Sequence, residues 1–227
     1  MTARASAPSS PCVAEVAIRL ADVRRRIEAA GRDPDDVTIV AVTKGFDASV
    51  CREALAAGLN VLGENRVQEG LAKMDEVDGA TWHLIGHLQT NKVRHAAGRF
   101  ALIQSVDSVH LVEAIARAAP RQQVLVEVNV AREPQKSGAN PAHAHEVLAA
   151  AANLLDLRGL MAMGPAEGDP RPAFDELRRL RDDAQERIGM ALPLLSMGMS
   201  DDYEIALAAG STMLRLGTAL FGPRPHR

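Results

Sequence analysis

A single lysine, Lys44, ends a run of β-branched and small apolar residues in the stretch VTIVAVTKGF, residues 37–46. A lysine amine that is partly withdrawn from water has a lowered pKa and can bond to a carbonyl carbon as a Schiff base. The alternative is an ordinary strand-end lysine, whose stem packs on apolar surface while its ammonium reaches water. The stretch alone leaves both interpretations open.

A second stretch, SMGMSDD at residues 196–202, offers a place for an anion. It ends a predicted strand and begins a predicted helix near Ser200, and helix N-termini attract phosphate and carboxylate groups. The same residues also fit an ordinary helix cap, with Ser200 as the capping side chain and two aspartates at the positive helix end. Further on, the sequence RLGT at residues 215–218 supplies Gly217, where a backbone can approach a ligand closely.

Arg215 lies between Leu214 and Leu216 in an otherwise apolar segment. Buried arginines are uncommon, so this one is either a partnered core residue or a functional cation. A lysine amine facing a phosphate seat is the arrangement that pyridoxal 5′-phosphate (PLP) requires, because its aldehyde needs the amine and its phosphate needs backbone donors. Arg215 would then contact the pyridine nitrogen, keep it unprotonated and make the ring a weaker electron sink.

The segments that carry these residues alternate between apolar strands and helices, after a first helix predicted at residues 13–31. Strands are predicted at residues 37–44, 60–65, 81–88, 100–108, 123–131, 157–164, 193–200 and 212–222, the last without a following helix. Strands that are apolar throughout are typical of parallel sheets covered on both faces, so we predict a single (β/α)8 barrel of the TIM type. An open doubly wound sheet is the alternative, although no G-x-G-x-x-G follows the first strand.

Functional residues of such barrels lie at the carboxyl ends of the strands, which would bring Lys44, Ser200 and Arg215 to one mouth. His83 and His87 share one face of a predicted strand. No third ligand with suitable spacing follows them, so we expect no metal site.

The composition excludes several classes of function. A net charge of −3 and an aromatic content of 3% provide neither the basic field nor the stacking platforms of a nucleic-acid-binding protein. No apolar run is long enough to span a membrane. The two cysteines, Cys12 and Cys51, fit a reducing compartment, so we expect a cytoplasmic protein. We expect residues 1–12 to be a disordered tail rather than a secretion signal, and residues 13–227 to form one monomeric domain.

The motifs AVTK, GENRVQE, WHLIGHLQTNK, SVDS, KSG, RGLMAM and LSMGMSDDYEIALAAGSTMLRLGTALFG occur in this order. Over about residues 13–222 the chain resembles the pyridoxal phosphate homeostasis proteins, called YggS-like in bacteria. The resemblance implies a barrel related to the N-terminal domain of alanine racemase, fold type III of PLP proteins, with Lys44 holding PLP as an aldimine. It further implies a phosphate site at Ser200, Gly217 and Thr218 with Ser196, a pyridine contact from Arg215, and a cofactor lining from Asn65, His83 and Met163.

Three functions remain open at this point. One is a carrier that holds PLP and delivers it to apo-enzymes, and the second is a weak racemase or another PLP-dependent amino-acid enzyme. The third is an aldolase that uses the lysine without a cofactor, which the resemblance disfavours. A two-base racemase needs a proton donor on each face of the carbanion. Alanine racemase takes one from a tyrosine of its partner subunit, whereas this chain has only Tyr203, on a predicted helix, so the carrier is favoured.

Overall fold

The computed structural model describes residues 11–223, so most of the predicted tail at residues 1–12 lies outside the described residues. Eight parallel strands pair in chain order, and β1 pairs with both β2 and β8 to close a barrel. The strands are β1 Thr38–Val42, β2 Val61–Glu64, β3 Thr81–Leu84, β4 Leu102–Val106, β5 Gln123–Glu127, β6 Asp156–Met161, β7 Leu194–Ser196 and β8 Met213–Leu216. The predicted (β/α)8 barrel is confirmed.

A helix precedes the first strand, and helices follow all eight strands. They are α1 Val13–Ala29, α2 Ala48–Ala56, α3 Val67–Met74, α4 Val93–Ala96, α5 Val109–Ala118, α6 Ala144–Leu154, α7 Arg171–Ile188, α8 Tyr203–Ala208 and α9 Thr218–Phe221. The first helix packs against α2 and α9 and buries Val16, Val23 and Ile27. None of the helices within residues 11–223 has the length and apolarity needed to cross a membrane.

The last βα unit differs from the predicted one. The sequence predicts a single strand over residues 212–222, but β8 ends at Leu216 and α9 begins at Thr218. The backbone turns at Gly217, whose carbonyl accepts the N–H groups of Leu220 and Phe221 at 3.0 and 2.9 Å. Both apolar side chains are buried, as they would be in a strand. A short apolar run therefore does not distinguish the two structures.

Strand side chains alternate between a large apolar layer under the helices and the barrel interior. Part of the interior is apolar and consists of Val40, Leu102, Leu125, Met161 and Met213. The interior also holds a buried polar set, His83, Gln104, Ser196 and Arg215, joined by hydrogen bonds. Buried polar groups need hydrogen-bond partners, which an apolar interior would not require. These four residues therefore mark a part of the barrel interior that has a role besides packing.

Candidate functional site

A cavity of about 210 Å³ opens at the carboxyl ends of the strands. Seven of the nine residues implied by the resemblance line it: Lys44, Asn65, Met163, Ser200, Arg215, Gly217 and Thr218. Apolar side chains complete much of the wall: Val42, Phe46, Ile85 and Met199. The barrel thus brings polar groups from distant parts of the sequence to one mouth, as expected for this fold.

Lys44 follows β1 in a tight turn and is half-buried. The N–H of Thr43 donates to the carbonyl of Gly63 at 3.1 Å, which extends the pairing of β1 with β2 by one residue. Phe46 then packs edge-on against Phe221 of α9, with ring centroids 5.6 Å apart. The turn that carries Lys44 is therefore fastened to β2 on one side and to α9 on the other.

Arg215 projects into the barrel from β8 and is 5% exposed. Its Nη1 donates to the carbonyl and the hydroxyl of Ser196 at 2.8 and 2.6 Å, and its Nη2 donates to the carbonyl of Ala162 at 2.8 Å. A guanidinium has five N–H donors, so these three bonds fix its orientation and leave donors for a ligand in the cavity.

A chain of hydrogen bonds runs from Arg215 across the barrel interior. Because arginine only donates, the Ser196 hydroxyl that accepts from it can give its own proton to Gln104 Oε1, 2.7 Å away. The amide nitrogen of Gln104 then donates to Nδ1 of His83 at 3.0 Å, which places the proton of this imidazole on Nε2. Burial lowers the pKa of His83 to about 4, so its ring is neutral at neutral pH.

Glu127, at the end of β5, supplies a carboxyl group near Arg215. Burial raises the pKa of Glu127 to about 7, although the charge of Arg215 opposes this shift and that of Asp107 adds to it. Burial also lowers the pKa of Arg215 to about 10, against the attraction of Glu127 and Asp202. Arg215 therefore remains a cation at neutral pH, while Glu127 takes up a proton near pH 7.

The structure gives Ser200 a different partner from the one expected of a helix cap. The N-cap of α8 is Asp202, whose Oδ1 accepts the N–H of Met199 at 2.6 Å. The hydroxyl of Ser200 instead accepts the N–H of Ala219 in α9 at 3.0 Å. This bond joins the loop after β7 to the start of α9, next to Gly217 and Thr218. The interpretation of Ser200 as the cap of α8 is therefore wrong.

Two of the implied residues, His83 and Ser196, do not reach the cavity wall. Both side chains lie buried in the barrel interior, and Ile85, two residues after His83, lines the cavity instead. Sequence reasoning missed Gln104 and Glu127, which belong to the same interior. Their signal was the presence of polar residues in two otherwise apolar strands, LIQSV and QVLVE.

Asn65 owes its position to a glycine on the neighbouring strand end. A Cβ added at Gly86 would lie 2.3 Å from the carbonyl oxygen of Asn65, so only glycine lets these backbones approach. Within residues 11–223, no group of three or more His, Cys, Asp or Glu side chains is arranged to hold a metal ion.

Comparison with known proteins finds the alanine racemase N-terminal domain family over residues 18–225. The pyridoxal phosphate homeostasis protein of Aquifex aeolicus is 40% identical, over 90% of this chain and 94% of that protein. Its namesake in Escherichia coli is 39% identical, over 93% of this chain and 98% of the relative.

Two solved structures are similar to this chain. PipY of Synechococcus elongatus, solved with PLP bound, is 37% identical, with a TM-score of 0.81 over 91% of this chain and all 100% of PipY. Alanine racemase of Corynebacterium glutamicum shares the fold, with a TM-score of 0.76 and 16% identity over 94% of this chain and 62% of that enzyme. The chain therefore belongs to the alanine racemase N-terminal domain family and, within it, to the pyridoxal phosphate homeostasis proteins.

Proposed function

We propose that this protein holds PLP as an aldimine of Lys44 and takes part in the homeostasis and delivery of PLP inside the cell. The observation that carries the proposal is the convergence of Lys44, Arg215 and Ser200 on one cavity. These groups match the three polar parts of PLP, which are its aldehyde, its pyridine nitrogen and its phosphate. The proposal is supported by the relatives named pyridoxal phosphate homeostasis protein and by PipY, which was solved with PLP bound.

Lys44 is the residue proposed to hold the cofactor covalently. The deprotonated nitrogen of Lys44 would bond to the aldehyde carbon, and the aldehyde oxygen would leave as water. Val42, Phe46 and Ile85 line the same cavity and limit the access of water to this bond. A reversible bond of this kind stores a reactive aldehyde and can also release it.

Arg215 is proposed to donate a hydrogen bond to the pyridine nitrogen. Its three bonds to Ser196 and Ala162 hold the guanidinium in place. Since arginine keeps its proton, the pyridine nitrogen would stay unprotonated, and the ring would stabilise a carbanion poorly. Such an environment suits storage better than amino-acid chemistry.

Ser200, Gly217 and Thr218 are proposed to bind the phosphate. The hydroxyl of Ser200 lies beside the first turn of α9, and Gly217 allows the backbone to approach a ligand there. Ser196, which the resemblance also implies for the phosphate, is proposed to act on Arg215 instead, because it is buried beneath the guanidinium.

Replacing Ser200 with alanine is expected to weaken PLP binding by about 1–2 kcal/mol, the scale of a hydrogen bond to a charged group. Pyridoxal, which lacks the phosphate, should bind much more weakly than PLP and should be insensitive to Ser200→Ala. Titrations with both ligands measure this, with Ser108→Ala at the N-cap of α5 as a control. Equal affinity for PLP and pyridoxal would place the phosphate site elsewhere.

Delivery to apo-enzymes, by a cytoplasmic monomer, is the remaining part of the proposal. Delivery is supported by the name that the relatives share. The monomer is supported by the charged outer face of helices such as α7. The test mixes PLP-loaded protein with an apo-form of a PLP-dependent enzyme and follows recovery of that enzyme's activity. Recovery faster than the spontaneous release of PLP supports delivery, and recovery at the rate of release contradicts it.

A weak racemase is the second candidate, because the matching family model is that of alanine racemase. Against it, Tyr203 is buried beside Arg26 and is not among the residues that line the cavity. In deuterium oxide with L-alanine, we therefore expect slow exchange of the α-hydrogen without D-alanine, as measured by NMR and chiral chromatography. Repeated turnovers to D-alanine that Lys44→Ala abolishes would establish the enzyme instead.

A further inference from the structure

A buried cluster of charges lies directly behind the Lys44 turn, between the ends of β1 and β2 and the helix α3. Lys73, whose side chain is only 7% exposed, bonds through Nζ to Glu64 Oε1 at 2.6 Å and to Glu69 Oε1 at 3.0 Å. The side chain of Glu64 is fully buried, and its Oε1 also accepts the hydroxyl proton of Thr43 at 2.6 Å. Burial would lower the pKa of Lys73, but these carboxylates raise it, so its ammonium stays charged.

The cluster holds the backbone on both sides of Lys44. The ammonium of Lys73 donates to the carbonyl of Thr43 at 2.8 Å, before Lys44. Oε1 of Glu69 accepts the N–H of Gly45 at 2.7 Å, after Lys44. Lys73 and Glu69 are bonded to each other, so a continuous bridge of hydrogen bonds spans the residue that carries the amine.

This arrangement uses the full donor capacity of Lys73, because its three bonds match the three N–H groups of an ammonium. Buried ion pairs are weak evidence for stability, since desolvation offsets much of the attraction between the charges. The cluster matters here for the turn that it holds, because that turn contains a flexible residue. Gly45 adopts φ = +78°, a conformation that suits glycine, and glycine restricts the backbone least.

We propose that Glu64, Glu69 and Lys73 are positioning residues that fix the Thr43–Gly45 turn and thereby hold the Lys44 amine at the place where it captures an aldehyde. The proposal rests on the proposed function, because it assigns a task to residues behind the proposed cofactor-binding amine. None of the three lines the cavity, so they act through Lys44 and its turn.

Glu69 is the residue to change first. Removing Lys73 would leave the carboxylate of Glu64 buried and uncompensated, and the fold could be lost. Glu69 is 25% exposed, so its replacement is better tolerated. Glu69→Ala removes the acceptor for the Gly45 N–H, whereas Glu69→Gln keeps an amide oxygen at that place. Glu76→Ala, at an exposed glutamate just beyond α3, is the matched control.

Two readouts report on the turn and its amine. In the ligand-free protein, hydrogen exchange at the Gly45 amide, followed by NMR, should be at least about tenfold faster in Glu69→Ala, because a hydrogen bond to a charged group is lost. The rate at which PLP and borohydride label Lys44, followed by mass spectrometry, should fall about tenfold, since small displacements of a reacting group are costly. Glu69→Gln and Glu76→Ala should stay within about twofold of the unmodified protein.

A third measurement distinguishes an effect on the Lys44 amine from an effect on the rest of the cavity. Pyridoxine 5′-phosphate carries the ring and the phosphate but no aldehyde, so its affinity should be the same in Glu69→Ala as in the unmodified protein. If labelling stays unchanged in Glu69→Ala, or if labelling and pyridoxine 5′-phosphate affinity fall together, the positioning role is refuted. If the unmodified protein takes no label at Lys44, the proposed function is refuted and this proposal falls with it.

Discussion

Replacing Lys44 with alanine is expected to abolish covalent attachment of PLP and to raise its dissociation constant about 100-fold, which corresponds to about 2.7 kcal/mol. The change removes the nitrogen that would bond to the aldehyde carbon. The contacts proposed for Arg215, Ser200 and Gly217 remain, so some non-covalent binding should persist. Absorbance of the bound cofactor and equilibrium dialysis measure the two effects separately.

The control for this change is Lys44→Arg, which keeps a positive charge but whose guanidinium stays protonated and forms no Schiff base. We expect it to lose the covalent bond as completely as Lys44→Ala does. An unchanged PLP affinity in Lys44→Ala would show that the amine contributes nothing to binding.

Replacing Gly159 with alanine is expected to destabilise the barrel by more than about 4 kcal/mol, through a combination of backbone strain and a backbone clash. Gly159 lies in β6, opposite Leu194 of β7, with φ = +154°. An added Cβ would lie 1.8 Å from the carbonyl oxygen of Leu194, so the two strands would have to separate. Urea unfolding followed by circular dichroism measures the change in the free energy of unfolding.

Gly168→Ala provides the comparison for that measurement. Its φ is +88°, but nothing lies within 4 Å of an added Cβ, so it isolates the cost of backbone strain. We expect it to destabilise by about 1–2 kcal/mol. Equal losses of unfolding free energy in the two variants would mean that β6 and β7 move apart to accommodate the extra methyl group without further cost.

The order of strands and helices followed from hydropathy, because each buried parallel strand is mostly apolar and is followed by an amphipathic helix. The end of the last strand did not follow, because β8 and α9 form one apolar run and only the turn at Gly217 divides them. The role of Ser200 was also open, since its bond to Ala219 depends on how two separate βα loops pack.

The candidate site could be predicted where residues lie beyond a strand end, as Lys44 and Ser200 do. Within a strand, the register decides whether a polar side chain faces the mouth or the buried interior, and a sequence does not reveal this register. His83 and Ser196 accordingly lie in the interior, where they join Gln104 in a chain that orients Arg215.

The charged cluster around Lys73 shows a further limit of prediction from the sequence. Glu64 ends β2 and Lys73 lies on α3, nine residues apart, so the pair reads as a strand end followed by a helix surface. Only the packing of α3 against the barrel buries both residues and turns them toward Thr43. Sequence reasoning singled out Lys44 and missed the groups whose hydrogen bonds hold its turn.

The most direct test of the central claim is to reduce the PLP-loaded protein with borohydride, digest it and map the modified peptide by mass spectrometry. The chain has four lysines, Lys44, Lys73, Lys92 and Lys136, and each can be distinguished in such a map. We predict one added pyridoxyl phosphate group, on Lys44. A label on Lys73, Lys92 or Lys136 in place of Lys44 would contradict the assignment.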